Sequence, residues 1–191
     1  RLVEVTHSIF YAPLYVALNN GYFEDEGLEV ELTNAGGSDK GMTSLVSGSA
    51  DIALVGPETV VYVVDGQANN HPVVFGQLTK RDGSFIVAKT DTNNFQWSDL
   101  VGKTIIGGRK GGMPAMTLQY VIEKEAGLTI GTEASQVNLR TDVAFDLTAS
   151  VFDSTDAEYC TLFEPTASDM ETQGKGYVVA SVGLESGEVP Y

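Results

Sequence analysis

An α/β fold arranged as two lobes is what this 191-residue sequence predicts, and three observations predict it. The chain opens with a β-α-β pattern over residues 3–30. Short β-branched runs then keep giving way to helix starts marked by glycine or proline, and at Lys80-Arg81-Asp82-Gly83 the pattern breaks and begins again. Alternating strands and helices imply parallel strands, whose outgoing loops share one edge of the sheet, where open α/β sheets bind ligands.

The elements follow in order. Residues 3–6 are β-branched and apolar; they run into His7-Ser8-Ile9-Phe10-Tyr11-Ala12-Pro13 and then into apolar positions Leu14, Ala17, Leu18 and Tyr22, a strand feeding a helix. Pro13 suits a first helical turn, where its missing N–H costs nothing, and Gly21 stops the helix. Leu28, Val30 and Leu32 alternate with Glu29, Glu31 and Thr33, so residues 28–34 read as a second strand. Gly36-Gly37-Ser38-Asp39 opens a helix carrying Met42, Leu45 and Val46 and ending at Gly48; Ser38 or Asp39 serves it as a cap or touches a ligand. Residues 51–55 form a third strand, and Gly56-Pro57-Glu58-Thr59 starts a helix over 58–65. Three strands thus end in three helix starts on one edge, which is the main physical reason to expect a binding site there.

Residues 66–72 make a polar loop, and residues 73–79 read as a fourth strand. A second lobe then begins, with strands at 85–88 and 104–106 around a turn-rich stretch whose Trp97 is expected to cover a sheet edge, with stacking on a ligand as its other use. Gly107-Gly108-Arg109-Lys110-Gly111-Gly112-Met113-Pro114 follows a strand and precedes a helix bearing Met116, Leu118, Val121 and Ile122. Its glycines allow backbone N–H groups to approach an anion or a polar ligand edge, and Arg109 is either the cation of the site or a solvated side chain. No Gly-Lys-Ser/Thr opens that helix and the glycine spacing is not the dinucleotide fingerprint, so nucleotide binding is disfavoured. Strands at 135–139, 159–163 and 177–182 complete the second lobe, with helices from Thr141 and from Pro165 to near Gly174. Glu164 sits where a strand empties toward the ligand edge, as an acceptor for a ligand N–H or as a cap on the helix that follows.

Composition narrows the function. Twenty-six acidic against eleven basic residues give a formal charge of −15, which keeps the chain in solution and repels nucleic acid and anionic lipid. No apolar run approaches the roughly 20 residues that cross a bilayer. A signal segment is absent at Arg1, the start expected of a mature or trimmed product. Cys160, the single cysteine, excludes an internal disulfide and reads as a buried, inert thiol. His7 and His71 stand in separate loops, and no His or carboxylate cluster has metal spacing. A Gly-x-Ser-x-Gly elbow is absent as well, which disfavours a Ser-His-Asp hydrolase.

The opening resembles the substrate-binding proteins of ABC importers, in the group that includes nitrate, sulfonate, taurine and thiamine-pyrimidine binders. The matching residues are Tyr11-Ala12-Pro13-Leu14-Tyr15-Val16-Ala17, Gly21-Tyr22-Phe23 and Glu26-Gly27-Leu28-Glu29-Val30, with Gly48-Ser49-Ala50-Asp51-Ile52-Ala53 and Phe163-Glu164-Pro165 further on. The resemblance implies a type 2 periplasmic-binding-protein-like fold, with two three-layer αβα lobes joined by a hinge. Residues 1–82 would form lobe 1, residues 83–183 lobe 2, and residues 184–191 the start of a return crossing. Members of the group continue beyond this point, so lobe 1 is expected to be incomplete. The hinge is placed near residues 78–82 and 183–191.

The function implied is that of an extracytoplasmic receptor, periplasmic or lipid-anchored, which traps a small solute in the interlobe cleft and presents it to a membrane permease. It would need no cofactor and perform no catalysis. Candidate ligand contacts are Ser8, Phe10, Tyr11, Gly37, Ser38, Asp39, Pro57, Glu58, Thr59, Arg109, Gly111, Gly112, Met113 and Glu164. Phe10, Tyr11 and Tyr62 suit stacking on a flat ring, and Glu164 with Asp39 suits N–H donors, which favours a heterocyclic or vitamin-precursor-like solute. Helix starts with Arg109 suit a sulfonate- or nitrate-type oxyanion, a close second. The alternative class is an enzyme of the thiamine-pyrimidine-synthase type. Such enzymes resemble this chain in fold and opening motif but carry a cysteine-rich iron-binding segment and a pyridoxal-phosphate lysine.

Overall fold

The structure is a computed structural model that describes residues 1–67, 70–92 and 94–189. Of the expected loops and crossings, Ala68, Asn69, Asn93, Pro190 and Tyr191 lie outside the described residues. The chain divides into two compact units, one spanning Arg1–Thr79 and the other beginning at Lys80.

The first unit is built on a three-stranded parallel sheet of β1 (Leu2–Glu4), β2 (Leu32–Asn34) and β3 (Ile52–Leu54), ordered β2-β1-β3. Glu4 pairs with Asn34 on one side and Leu54 on the other, so the three strands end level. The helices between them are α1 (Ala12–Asn19), α2 (Tyr22–Asp25), α3 (Ser38–Val46) and α4 (Glu58–Asp65). Gly21 takes φ +75° and Gly48 φ +77°, the left-handed turns that end α1 and α3. Gly41 lets α3 lie close on the sheet, since a Cβ there would sit 2.8 Å from Val55 Cγ1. Val3, Val5, Leu14, Met42 and Ala50 make the small core.

The second unit holds a five-stranded mixed sheet, ordered β6-β5-β7-β4-β8, from β4 (Ser84–Ala88), β5 (Thr104–Ile106), β6 (Asn138–Arg140), β7 (Tyr159–Phe163) and β8 (Tyr177–Ser181). β5 runs parallel to β6 and β7, and β4 runs antiparallel to β7 and β8. Alternation along the strands sends side chains to two separate cores, as a pleated sheet covered on both faces requires. Ile86, Ala88, Ile105 and Tyr159 join Leu118, Val121 and Ile122 on one face, from α5 (Met113–Tyr120) and the π-helical turn Val121–Glu125 that continues it. Val87, Ile106, Cys160 and Leu162 join Phe152, Ala167 and Met170 on the other, from α6 (Thr148–Ser154) and α7 (Thr166–Thr172). A last helix, α8 (Val182–Ser186), packs on α5 and β4.

Several expectations need correction. Residues 73–79 form no strand; they are irregular, with Val73 81% and Phe75 80% exposed, because no described strand pairs with them and alternation alone leaves ladder hydrogen bonds unmade. The second strand is confined to Leu32–Asn34, the stretch in register with β1. The strand expected at 135–139 shifts to Asn138–Arg140, where β5 sets the register Thr104↔Asn138. Val182 leaves the last strand for α8, whose cap is the Ser181 hydroxyl accepting from the Leu184 N–H. Neither Ser38 nor Asp39 caps α3: Gly37 holds the N-cap position, with Ser38 the first helical residue. Trp97, by contrast, packs as expected of a lone aromatic: it lies in a 3-10 turn, Trp97–Leu100, partly buried against the Ile105 and Leu118 core of the second unit, with Phe95 at 5.6 Å.

Candidate functional site

In the first unit the candidate residues gather on one edge of the sheet. Ser8, Phe10 and Tyr11 follow the end of β1, Gly37, Ser38 and Asp39 follow β2, and Pro57, Glu58 and Thr59 follow β3. Since the three strands end level at Glu4, Asn34 and Leu54, all nine residues stand at its carboxyl ends. Several of their side chains are buried despite being polar: Ser8, Glu58 and Thr59 are each less than 9% exposed. Asp39 is exposed, and Phe10 is half-buried.

Local hydrogen bonds shape this edge. The Ser8 hydroxyl accepts from the Phe10 N–H at 3.3 Å and caps the 3-10 turn Ile9–Tyr11. Thr59 Oγ1 donates to the Gly56 carbonyl at 2.7 Å, closing the turn into α4. The Glu58 carboxylate folds back over Gly56, so a Cβ at that position would displace its oxygens. Burial, and then the nearby charges of Tyr15, Glu4 and Glu58, push the Tyr11 phenol far above its ordinary range, which keeps its proton in place.

In the second unit Arg109, Gly111, Gly112 and Met113 form the turn between β5 and α5, and Glu164 follows β7. Both positions lie at the carboxyl ends of neighbouring parallel strands. The Lys110 N–H donates to the Thr141 carbonyl at 3.0 Å and the Gly112 N–H to the Arg109 carbonyl at 3.0 Å, which fix the turn on the end of β6. Gly108 and Gly111 take φ +71° and +79°, conformations open chiefly to glycine. Arg109 is exposed and Met113 buried. The Glu164 carboxylate accepts from the Ser168 N–H at 3.0 Å and from the Ser168 hydroxyl at 2.8 Å, so it braces the first turn of α7.

Sequence reasoning passed over Glu4 and Tyr15. Glu4 stands between two valines in a strand, where alternation places a charged residue outward, yet it is 2% exposed. Its Oε2 accepts from the Tyr15 hydroxyl at 2.6 Å and its Oε1 lies 3.2 Å from His7 Nδ1.

The model of the NMT1/THI5-like family matches residues 9–182. The chain belongs to that family. It is 50% identical over 192 residues to a Bacillus subtilis (strain 168) protein named "Putative binding protein YtlA", a match that covers all of this chain and 56% of that one. It is 28% identical over 139 residues to a protein of Halalkalibacterium halodurans named as a formylaminopyrimidine-binding protein, covering 72% of this chain and 39% of the relative. The periplasmic nitrate-binding protein NrtA from Synechocystis PCC 6803 shares the fold with a TM-score of 0.69 at 17% identity, over 93% of this chain and 50% of the other. The fold is therefore that of the periplasmic binding proteins, and the chain spans about half the length of YtlA. Among the described residues of this family member no helix is long and apolar enough to cross a membrane.

Proposed function

We propose that this chain is the solute-gripping part of an extracytoplasmic receptor of an ABC importer, which holds a small nitrogen-bearing heterocycle and presents it to a membrane permease. The observation that carries the reading is the level carboxyl edge of β2-β1-β3, where three successive strand-to-helix junctions share one edge and two of them, after β1 and β3, place the buried polar side chains of Ser8, Glu58 and Thr59 there. The fourteen candidate residues are the proposed contacts. The break between units at Thr79 and Lys80 suits the hinge expected near residues 78–82.

Charge favours a ligand rich in N–H donors. Residues 1–79 carry two cationic side chains, Arg1 and Lys40, against ten carboxylates, and Glu58 is buried at the proposed edge. A carboxylate accepts hydrogen bonds and repels an oxyanion, so a sulfonate or nitrate is the second choice. The formylaminopyrimidine-binding relative supports the same preference. No catalytic step belongs to the reading; burial raises the Cys160 thiol far out of the range in which it would act as a nucleophile.

A thermal-shift screen over formylaminopyrimidine, related pyrimidines, taurine and nitrate tests this. A ligand at about 100 times its dissociation constant adds roughly 2.7 kcal/mol to the folded state, so a binder stands out clearly. Stabilisation by a pyrimidine is the expected result. Stabilisation by sulfonates or nitrate alone would overturn the heterocycle, and pyrimidine product formed with pyridoxal phosphate and iron would overturn the receptor.

A further inference from the structure

Five hydrogen bonds order the first strand-to-helix loop, and two of them end on Glu4. This side chain ends β1, is 2% exposed, and has Tyr15 and His7 as partners of its two carboxylate oxygens. Oε2 accepts from the Tyr15 hydroxyl at 2.6 Å, and the Tyr15 oxygen accepts in turn from the Ser8 N–H at 3.1 Å. Oε1 meets His7 Nδ1 at 3.2 Å, and the His7 ring lies on the Tyr15 ring with centroids 4.5 Å apart. Ser8 then carries the order forward, through its hydroxyl to the Phe10 N–H and through its carbonyl to the Tyr11 N–H at 2.9 Å.

The direction of these bonds matters. The Ser8 N–H can only donate, so the Tyr15 oxygen accepts from it while the single Tyr15 proton is given to Glu4. Burial, and then the bond to Glu4, push the Tyr15 phenol up to about 12, so it keeps that proton. Burying a carboxylate is costly, and an apolar side chain would serve the sheet better. What Glu4 supplies is the placement of the loop.

We propose that Glu4 is the positioning residue of this site: through Tyr15 it fixes the Ser8 amide and the turn that presents Ser8, Phe10 and Tyr11 to the solute. The geometry stands by itself, whereas the consequence for binding rests on the receptor reading above. Glu4 touches no solute in this account.

Amide hydrogen exchange of the whole chain, read by NMR, tests the proposal beside binding of formylaminopyrimidine as probe. Tyr15→Phe removes one oxygen and should speed exchange at the Ser8 N–H about tenfold, while the Leu2 N–H, bonded to the Glu31 carbonyl, keeps its rate. Glu4→Met should act like Tyr15→Phe. Glu4→Gln, which retains an acceptor oxygen for Tyr15, should restore the rate to within about threefold of wild type. Probe affinity should fall about tenfold in Tyr15→Phe and Glu4→Met and recover in Glu4→Gln. Unchanged Ser8 exchange in Tyr15→Phe overturns the proposal, as does an equal loss in the Gln and Met variants. If Glu4→Met does not fold, Tyr15→Phe and Glu4→Gln still decide it. If the wild-type chain ignores the probe, the receptor reading loses its ligand while the exchange rates still judge Glu4.

Discussion

The two units are held together in different ways. In the second, five strands are covered on both faces, and Ile86, Val87, Ile105, Ile106, Leu118, Ile122, Phe152 and Cys160 are wholly buried. In the first, three strands of three residues each carry a smaller core, while Val61, Tyr62, Val64, Val73 and Phe75 are all at least half exposed. Its proposed ligand edge is instead ordered by directed hydrogen bonds among Glu4, His7, Ser8 and Tyr15. Packing therefore gives the second unit its stability, and polar geometry gives the first its shape. A buried polar network is costly to build and specifies one arrangement, which suits the proposed ligand edge.

Core truncation should separate the units most sharply. Phe152→Ala removes a fully buried ring from the second unit and should cost about 3–5 kcal/mol in urea unfolding, whereas Val61→Ala, at an exposed position of the first, should change stability by under about 0.5 kcal/mol. Equal losses would erase the contrast. A polar staple also exists in the second unit: the Lys89 ammonium donates to the carbonyls of Phe152 and Thr155, each at 2.5 Å, and lies 4.8 Å from the Phe152 ring centroid. Lys89→Met leaves those terminal carbonyls of α6 without their charged donor and should cost roughly 1.5–3 kcal/mol by the same measurement.

Gly183→Ala probes how the second unit ties its ends. A Cβ there would lie 2.0 Å from the Asp82 carbonyl oxygen, and the neighbouring backbone is joined by the Val189 N–H donating to the Lys80 carbonyl at 2.9 Å. Forcing these passages apart should cost about 1–3 kcal/mol in thermal or urea unfolding.

The smallest effect concerns the first unit at high pH. Tyr15 ionises at about 12 in the folded chain against an ordinary 10, so folding favours the protonated phenol. The stability this supplies is whole below pH 10 and is lost as pH rises toward 12. The margin in melting temperature between wild type and Tyr15→Phe should accordingly be constant from pH 7 to 9 and shrink above pH 10. A margin that widened there would contradict the network.

Much of the fold was legible because local signals and tertiary demands agreed. The helix at Glu58–Asp65 and the strands Thr104–Ile106 and Tyr159–Phe163 appear where β-branched runs, glycine and proline place them. Residues 73–79 show where that reading stops, since a run with strand composition becomes a strand only beside a partner. The candidate residues of the first unit were legible as junctions, because three strands ending level turn sequence order into a shared edge. Glu4 and Tyr15 were not. They are eleven residues apart, and neither alternation nor helical spacing signals that a strand carboxylate and a helix phenol will meet.

The carboxyl edge of β2-β1-β3 is proposed to grip a donor-rich solute. Calorimetric titration of formylaminopyrimidine into the wild-type chain and into Glu58→Gln tests it most directly, because the substitution keeps the shape and removes the charge. Saturable binding at one site that weakens about tenfold in the variant is the expected result. Identical affinity in both proteins, or heat only with nitrate or a sulfonate, would contradict it.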